Sequence, residues 1–203
     1  MQNSEIELKF PVVDPNAFQA RLPQLGFRLL TPRTFESNTL YDTPHRDLRA
    51  QRQVLRIRQY GGICTVTHKR QPEGESIDTG RYKIRVETET TVAECEAMAE
   101  IFRQLGYLPM FEYEKYRTEW SQPADGLGET AHLVVDETPI GNYAELEGAP
   151  AWIDRTLAEL GIDPATCLTD SYGKLFLDWK ERTGRQAENL TFAEIAPALS
   201  AAL

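Results

Sequence analysis

The chain has 203 residues, 41% hydrophobic and 26% charged, which fits one folded unit with a sizeable core and excludes wholesale disorder. Its 22 Lys and Arg against 31 Asp and Glu leave a net charge of −9. That argues against a general binder of nucleic acid or anionic membrane, though not against one basic cavity inside an acidic shell. No stretch approaches the roughly 20 apolar residues of a membrane span, and Met1 to Glu7 lacks the basic and apolar regions of a secretory leader. Three widely spaced cysteines, Cys64, Cys95 and Cys167, form no CxxC and are expected as reduced thiols. A soluble cytoplasmic protein is the expectation.

Alternation of period two predicts the first strand over Ser4 to Phe10. Asp14 followed by Pro15 is a helix start, leading into Phe18, Leu22 and Leu25. Strands follow over Glu36 to Tyr41, Gln53 to Tyr60 and Ile63 to Lys69, with Gly61-Gly62 as a hairpin turn between the last two. A loop marked by Gly74 and Gly80 precedes a strand over Arg81 to Thr90. Thr91 with Glu94 reads as a capping box for a helix carrying Cys95, Met98, Ala99, Phe102 and Leu105, stopped by Gly106. Phe111 to Trp120, Ala131 to Glu137 and Asn142 to Glu147 complete the strands, with Gly126 and Gly128 in a loop between the first two. Pro150 opens a helix with Ile153, Leu157 and Leu160 on one face, ended by Gly161. Another helix is expected around Ser171 to Arg182, and a last one from Phe192, capped by Thr191 with Glu194. The polar linker Thr183 to Asn189 suggests that this last helix docks loosely. Residues 1–182 are therefore read as one domain and 183–203 as an appended linker and helix.

Three times the chain runs through a Glu-x-Glu pair, a helix and Leu-Gly: Glu5/Glu7 to Gly26, Glu87/Glu89 to Gly106, and Glu145/Glu147 to Gly161. The intervals differ, so no tandem repeat is implied, but related places in a pseudo-symmetric sheet are.

Residues i, i+2 and i+4 of a strand share a face. Glu5, Glu7 and Lys9 therefore point one way and Ile6, Leu8 and Phe10 the other; Lys83, Arg85, Glu87 and Glu89 share a face, as do Arg56 with Arg58, Thr65 with Thr67 and Lys69, Lys115 with Arg117, and Glu145 with Glu147. A solvated sheet face explains any one strand. It does not explain ordered blocks of long charged groups, nor a surplus of bases over acids at these positions of an acidic chain. Closing the sheet into a barrel with a charged lumen and helices on its apolar outside accounts for both. Carboxylates take a hard divalent cation, and guanidinium and ammonium groups hold phosphate oxygens.

The same residues carry a resemblance to the CYTH superfamily, the triphosphate tunnel metalloenzymes. Glu5-Ile6-Glu7-Leu8-Lys9 resembles its E-x-E-x-K hallmark, and Leu40-Tyr41-Asp42-Thr43 with Leu48 and Leu55-Arg56-Ile57-Arg58 resembles its next block. Thr67-His68-Lys69-Arg70, Arg85-Val86-Glu87-Thr88-Glu89, Lys115-Tyr116-Arg117 and Val135-Asp136 follow in order, then Gly141 to Glu147 and Ser171-Tyr172 with Lys174-Leu175. The resemblance implies an α+β fold, an eight-stranded antiparallel closed barrel whose tunnel binds a triphosphate with Mg²⁺ or Mn²⁺. It makes Glu5, Glu7, Glu145 and Glu147 the leading metal ligands, with Glu87 and Glu89 at a second metal or its waters. Lys9, Arg56, Arg58, Lys69, Arg85, Lys115, Arg117 and Lys174 are expected on phosphate oxygens, with Lys83 ranked lower and Asp136 supporting a ligand. Lys9 and Tyr41 are the candidates to orient the attacking group. The implied activity is hydrolysis of a small triphosphate (inorganic tripolyphosphate, thiamine triphosphate or a nucleotide). The alternatives are a class IV adenylate cyclase and a non-catalytic triphosphate-binding module. The partner is a small molecule, neither nucleic acid nor membrane, and the tail from Leu190 to Leu203 could cap a tunnel mouth or make a homodimer contact.

His45, His68 and His132 are too scattered for a metal triad. Trp152 and Trp179 read as packing residues, and Trp120 alone is kept open for stacking on a ring of the substrate. Glu112 and Glu114 are expected to face solvent.

Overall fold

The computed structural model describes residues 2–72, 81–123 and 130–195. Eight strands close into one barrel: β1 (Gln2–Pro11), β2 (Arg28–Asp42), β3 (Val54–Tyr60), β4 (Ile63–Arg70), β5 (Lys83–Val92), β6 (Leu108–Pro123), β7 (Thr130–Thr138) and β8 (Gly141–Glu147). Every neighbouring pair is antiparallel, and the order around the barrel is β1-β5-β4-β3-β2-β6-β7-β8, with β8 paired back onto β1. All eight expected strands are present. Gly61 and Gly62 both have positive φ, +56° and +81°, the conformation that a tight two-residue hairpin needs and that side chains resist. The expected glycine loops at Gly74, Gly80, Gly126 and Gly128 lie outside the described residues.

β2 begins at Arg28, well before the Glu36 start expected from alternation. Its first half lacks period-two patterning and contains Pro32. Pairing with β6, from Arg28↔Ser121 onward and through several register shifts, holds it extended. Thr91 differs in the other direction. It stays in the β4–β5 ladder opposite Thr65, so the capping box with Glu94 does not form. Helix α3 (Cys95–Gln104) instead starts after Glu94, without a side-chain cap.

The remaining helices follow local chemistry. Asp14 accepts hydrogen bonds from the Asn16 and Ala17 N–H groups at 2.9 and 3.0 Å, capping α1 (Pro15–Arg21). A short helix, α2 (Asp47–Ala50), joins β2 to β3 and carries Arg46 and Arg52, both in left-handed backbone, at its two ends. Its anchor is buried Asp42, whose carboxylate accepts from the Thr43, Leu48 and Arg49 amides. Helix α4 (Pro150–Leu160) ends at left-handed Gly161; α5 (Tyr172–Thr183) is capped by Ser171, and α6 covers Phe192–Ile195. Among the described residues no helix is long and apolar enough to cross a membrane.

The apolar face of each strand points outward and is covered by helices in two clusters, while a third cluster packs α5 against inward-facing Tyr113. Phe18 and Leu22 from the α1 segment and Trp152, Ile153 and Leu157 from α4 pack on Phe10, Leu133 and Leu146. Burying each such side chain contributes roughly 2 kcal/mol, enough to fix which way every strand faces, because a one-residue slip would reverse it. Trp120 belongs to this core and donates to the Gln19 side chain at 3.1 Å, so it is not free to stack on a ligand. On another side α3 lays Phe102 over Tyr41 and Ile57.

The third cluster joins Phe176 and Trp179 of α5 to Tyr113, Leu190 and Ile195. β6 meets β7 only from Tyr116 onward, which leaves its edge bare at Glu112 and Glu114. Leu190 fills that edge: its N–H donates to the Glu112 carbonyl and its carbonyl accepts from the Glu114 N–H, both at 2.9 Å. Glu114 caps α6 by accepting from the Phe192 amide, so it is not simply solvent-facing. Against the expected loose docking, the segment to Ile195 is seated firmly, with Leu190 and Ile195 fully buried.

The cysteines correct a further expectation. Cys64 at the start of β4 and Cys95 at the start of α3 form a disulfide, leaving Cys167 as the free thiol. Packing of α3 on the β3–β4 hairpin brings the two together across a sequence separation of 31, which spacing alone does not signal.

Candidate active site in the barrel lumen

The inward positions of the strands enclose a cavity of about 510 Å³. The strand order gives it polarity. β8, β1 and β5 are neighbours, so the three Glu-x-Glu pairs, far apart in sequence, stand side by side on one arc. The arc across the ring, β3-β2-β6, carries Arg56, Arg58, Lys115 and Arg117. An acidic wall faces a basic one.

On the acidic wall, Glu5, Glu7 and Glu147 bring carboxylate oxygens within 4.8 Å of one another. Glu7 and Glu147 are direct cross-strand partners. Lys69 pairs with Glu5 at 2.6 Å, and Lys83 pairs with Glu7. Desolvation and the charges of Glu5, Glu145 and Glu7 push Glu147 up to about 8, with Arg117 opposing them. A cluster of oxygen donors that repel one another enough to hold a proton is a chemical fit for a hard divalent cation.

The other three expected metal ligands are engaged by bases. Glu145 accepts from Arg117 at 2.7 Å and lies 3.1 Å from the Lys9 ammonium. Burial would raise its pKa, but Lys9, Arg117 and Lys115 hold it well below the usual carboxylate range. Glu87 pairs with Lys69 at 3.0 Å, and Glu89 accepts from Thr67 at 2.7 Å with Arg56 3.6 Å away.

The basic wall rests on two fully buried carboxylates, Glu36 and Asp136. Arg58 donates to Glu36 at 2.6 Å, and Lys115 lies 3.4 Å from it. Burial works to raise the Glu36 pKa, yet Lys115, Arg117 and Arg58 hold it far below its ordinary value. Asp136 accepts from Lys115 at 2.9 Å, from Arg117 at 2.7 and 2.6 Å, and from the Tyr172 hydroxyl at 2.6 Å. It therefore organises bases and has no direct bond to the acidic cluster.

Lys9, Arg56, Arg58, Lys69, Lys115 and Arg117 all line the cavity, and so does Lys83. Three expected residues do not. Tyr41 follows inward Leu40 on β2 and so faces outward, edge-on to Phe102 at 5.1 Å. Lys174 lies on the exposed side of α5 and pairs with Asp178. Arg85 has the same parity as Lys83 and Glu87, but its guanidinium donates to the Ile84 carbonyl and it is not among the lining side chains. Conversely, Glu119, His132, Tyr113 and Tyr172 line the cavity without having been assigned a role there. Glu119 and His132 could have been found by continuing the alternation from Lys115 and Arg117, or back from Asp136. Glu36 and Tyr172 could not, because their importance arises from partners on other strands. His68 faces away from Lys69, its ring nitrogen 3.1 Å from the Gln53 side chain.

The CYTH domain family model matches residues 3–154. A Methanocaldococcus jannaschii protein named "putative adenylate cyclase" is 29% identical over 160 residues, spanning 77% of this chain and 85% of that protein. Among solved structures, a Vibrio parahaemolyticus protein with the same description superposes with a TM-score of 0.67 at 22% identity, covering 85% of this chain and 97% of that one. A Hippeastrum protein, described as a "putative adenylyl cyclase" with a dominant triphosphatase activity, gives 0.56 at 19% identity, covering 92% and 98%.

Proposed function

The chain belongs to the CYTH domain family, and from that membership and the two-walled cavity we propose that it is a metal-dependent hydrolase of a small triphosphate. One observation carries the reading: three clustered carboxylates, Glu5, Glu7 and Glu147, stand across a lumen from Arg56, Arg58, Lys115 and Arg117. Anion capture alone calls for the bases and not for the acids. Glu5, Glu7 and Glu147 would hold Mg²⁺ or Mn²⁺, which when bound neutralises phosphoryl oxygens on the acidic side.

The chain's own residues do the rest. Arg56, Arg58, Lys69, Lys83, Lys115 and Arg117 grip phosphoryl oxygens, holding the phosphate chain in line and offsetting the charge that spreads over the transferred phosphoryl group. Glu36, Glu87, Glu89, Glu145 and Asp136 keep those bases charged and pointed inward before substrate arrives, so little reorganisation remains to be done during reaction. Lys9, held at the junction of the two walls, is the candidate to orient the attacking water toward the terminal phosphorus.

A second reading, a class IV adenylate cyclase, draws on the names of the relatives. There the ribose 3′-hydroxyl would attack the α-phosphorus, closing cyclic AMP and releasing pyrophosphate. We place hydrolysis first because it asks only for a positioned water, and because the Hippeastrum relative is described by its triphosphatase activity. Incubating the protein with Mg²⁺ or Mn²⁺ and, separately, ATP, tripolyphosphate and thiamine triphosphate, followed by phosphorus NMR, tests the choice. Orthophosphate is the expected product, with the fastest substrate naming the organic group. Pyrophosphate with cyclic AMP selects the cyclase, and tight binding without turnover leaves a binding module.

A further inference from the structure

Resting on the triphosphate reading, we propose that Tyr172 is a positioning residue that presets two lumen lysines, Lys9 and Lys115, from outside the barrel. Tyr172 belongs to the first turn of α5, yet its side chain reaches into the lumen and is buried there. Its hydroxyl donates to Asp136, the carboxylate that also holds Lys115 and Arg117. Its ring lies beneath two ammonium groups, with Lys9 Nζ 4.0 Å and Lys115 Nζ 4.9 Å from the centroid.

The backbone that delivers the ring is tied to the same lysine. Lys9 and Leu168 exchange backbone hydrogen bonds at 3.1 and 2.7 Å, and the Lys9 ammonium donates to the Asp170 carbonyl at 2.9 Å. The Lys9 ammonium thus has Glu145, a backbone carbonyl and a π-face around it, which leaves a flexible side chain in one place. Burial pushes the Tyr172 phenol well up, so it remains a neutral donor and its ring face keeps its attraction for cations. A ring close to two desolvated ammonium groups offsets part of their mutual repulsion and fixes the spacing at which they meet a polyanion. Free lysines would have to lose their rotamer freedom on binding; these have lost it on folding.

Two variants separate the ring from the hydroxyl. Tyr172→Phe retains the π-face and Tyr172→Leu removes it, both keeping an apolar side chain in the slot. With Mn²⁺ present, the leucine variant is expected to bind tripolyphosphate about tenfold more weakly, a loss on the scale of one desolvated cation–π contact, while the phenylalanine variant stays within about threefold of the parent. For turnover, KM should rise and kcat should fall in the leucine variant, because the lysines it releases both hold the phosphate chain and orient the attacking water, and both should stay near the parent values in Tyr172→Phe. Equal weakening in both variants, or none in either, overturns the proposal. A readout without substrate completes the test: reductive methylation mapped by mass spectrometry should leave Lys9 protected in the parent and in Tyr172→Phe and expose it in Tyr172→Leu. Unchanged protection of Lys9 in the leucine variant also overturns the positioning role. If the parent neither binds nor turns over tripolyphosphate, the triphosphate reading fails for that compound, and Lys9 labelling still decides the role of Tyr172.

Discussion

Glu7 of β1 and Glu147 of β8 lie directly opposite each other on neighbouring strands, a pairing of like charges that destabilises a sheet unless something comes between them. With Glu5 nearby, the structure answers that repulsion in part by favouring a proton on Glu147. The first two predictions come from this corner of the lumen.

The metal-free protein should lose thermal stability as pH rises from about 5.5 to 8.5. The Glu147 carboxyl has an ordinary value of 4.5 and is raised to about 8 in the folded chain. Between those values the folded state binds the extra proton, so the contribution is complete below 4.5 and is lost as pH climbs through 8. Glu36 and Glu145 are shifted the other way, so they act in acid, outside this window. Melting curves across the range, with and without Mn²⁺, provide the check. The metal should restore stability most at the alkaline end, and Glu147→Gln should flatten the slope. A rise in melting temperature toward pH 8.5 without metal would contradict the assignment.

Glu7→Gln should abolish triphosphate hydrolysis at every metal concentration while leaving the fold intact. The substitution deletes a ligand from a cavity wall and keeps the shape of the side chain. Activity assays alongside circular dichroism decide it, and a folded variant of normal activity would remove Glu7 from the metal site.

Glu36→Gln should behave in the opposite way and destabilise the protein by about 3 kcal/mol, because it leaves buried Lys115 and the half-buried Arg58 and Arg117 without this fully buried counter-charge. Urea titration of the metal-free form reads this directly. A variant as stable as the parent would mean that Asp136 alone balances the basic wall.

Arg58→Ala should weaken triphosphate binding far more than orthophosphate binding. Arg58 stands on the wall opposite the acidic cluster, where an extended chain can reach it while its other end meets the acidic side. Calorimetric titration with both anions separates the cases, and equal loss for the two would reduce Arg58 to a diffuse electrostatic role.

The Cys64–Cys95 crosslink encloses β4 and β5 together with Lys69, Glu87 and Glu89. Replacing both cysteines with serine should cost about 4 kcal/mol, the scale expected for closing a loop of this length. A dithiol reductant should move the parent denaturation curve onto that of the variant and leave the variant unmoved. A parent curve indifferent to reductant would show that the bond contributes nothing to stability.

Much of the molecule was legible before any coordinates, for a physical reason. A strand side chain points to one face or the other, so alternation alone sorted Glu5, Glu7, Lys9, Arg56, Arg58, Lys69, Lys115, Arg117, Glu145 and Glu147 onto one side of a sheet, and the ordered charges required that side to be enclosed. Alternation says nothing about which strands are neighbours. Only closure in the order β8-β1-β5 gathered the three acidic pairs on one arc, brought Glu5, Glu7 and Glu147 together, and set the arginines across from them. Residues whose role depends on a distant partner stayed hidden for the same reason: Glu36 beneath the basic wall, Tyr172 entering from a helix, and Cys64 meeting Cys95, while Asp136, expected beside a metal ligand, holds Lys115 and Arg117. Tyr41 and Lys174 carried family motifs and still fell outside the cavity, because one step along a strand or a helix turns a side chain away. Local chemistry determined the facing of each strand, whereas the pairing of one side chain with another was decided by the fold that brought them within reach.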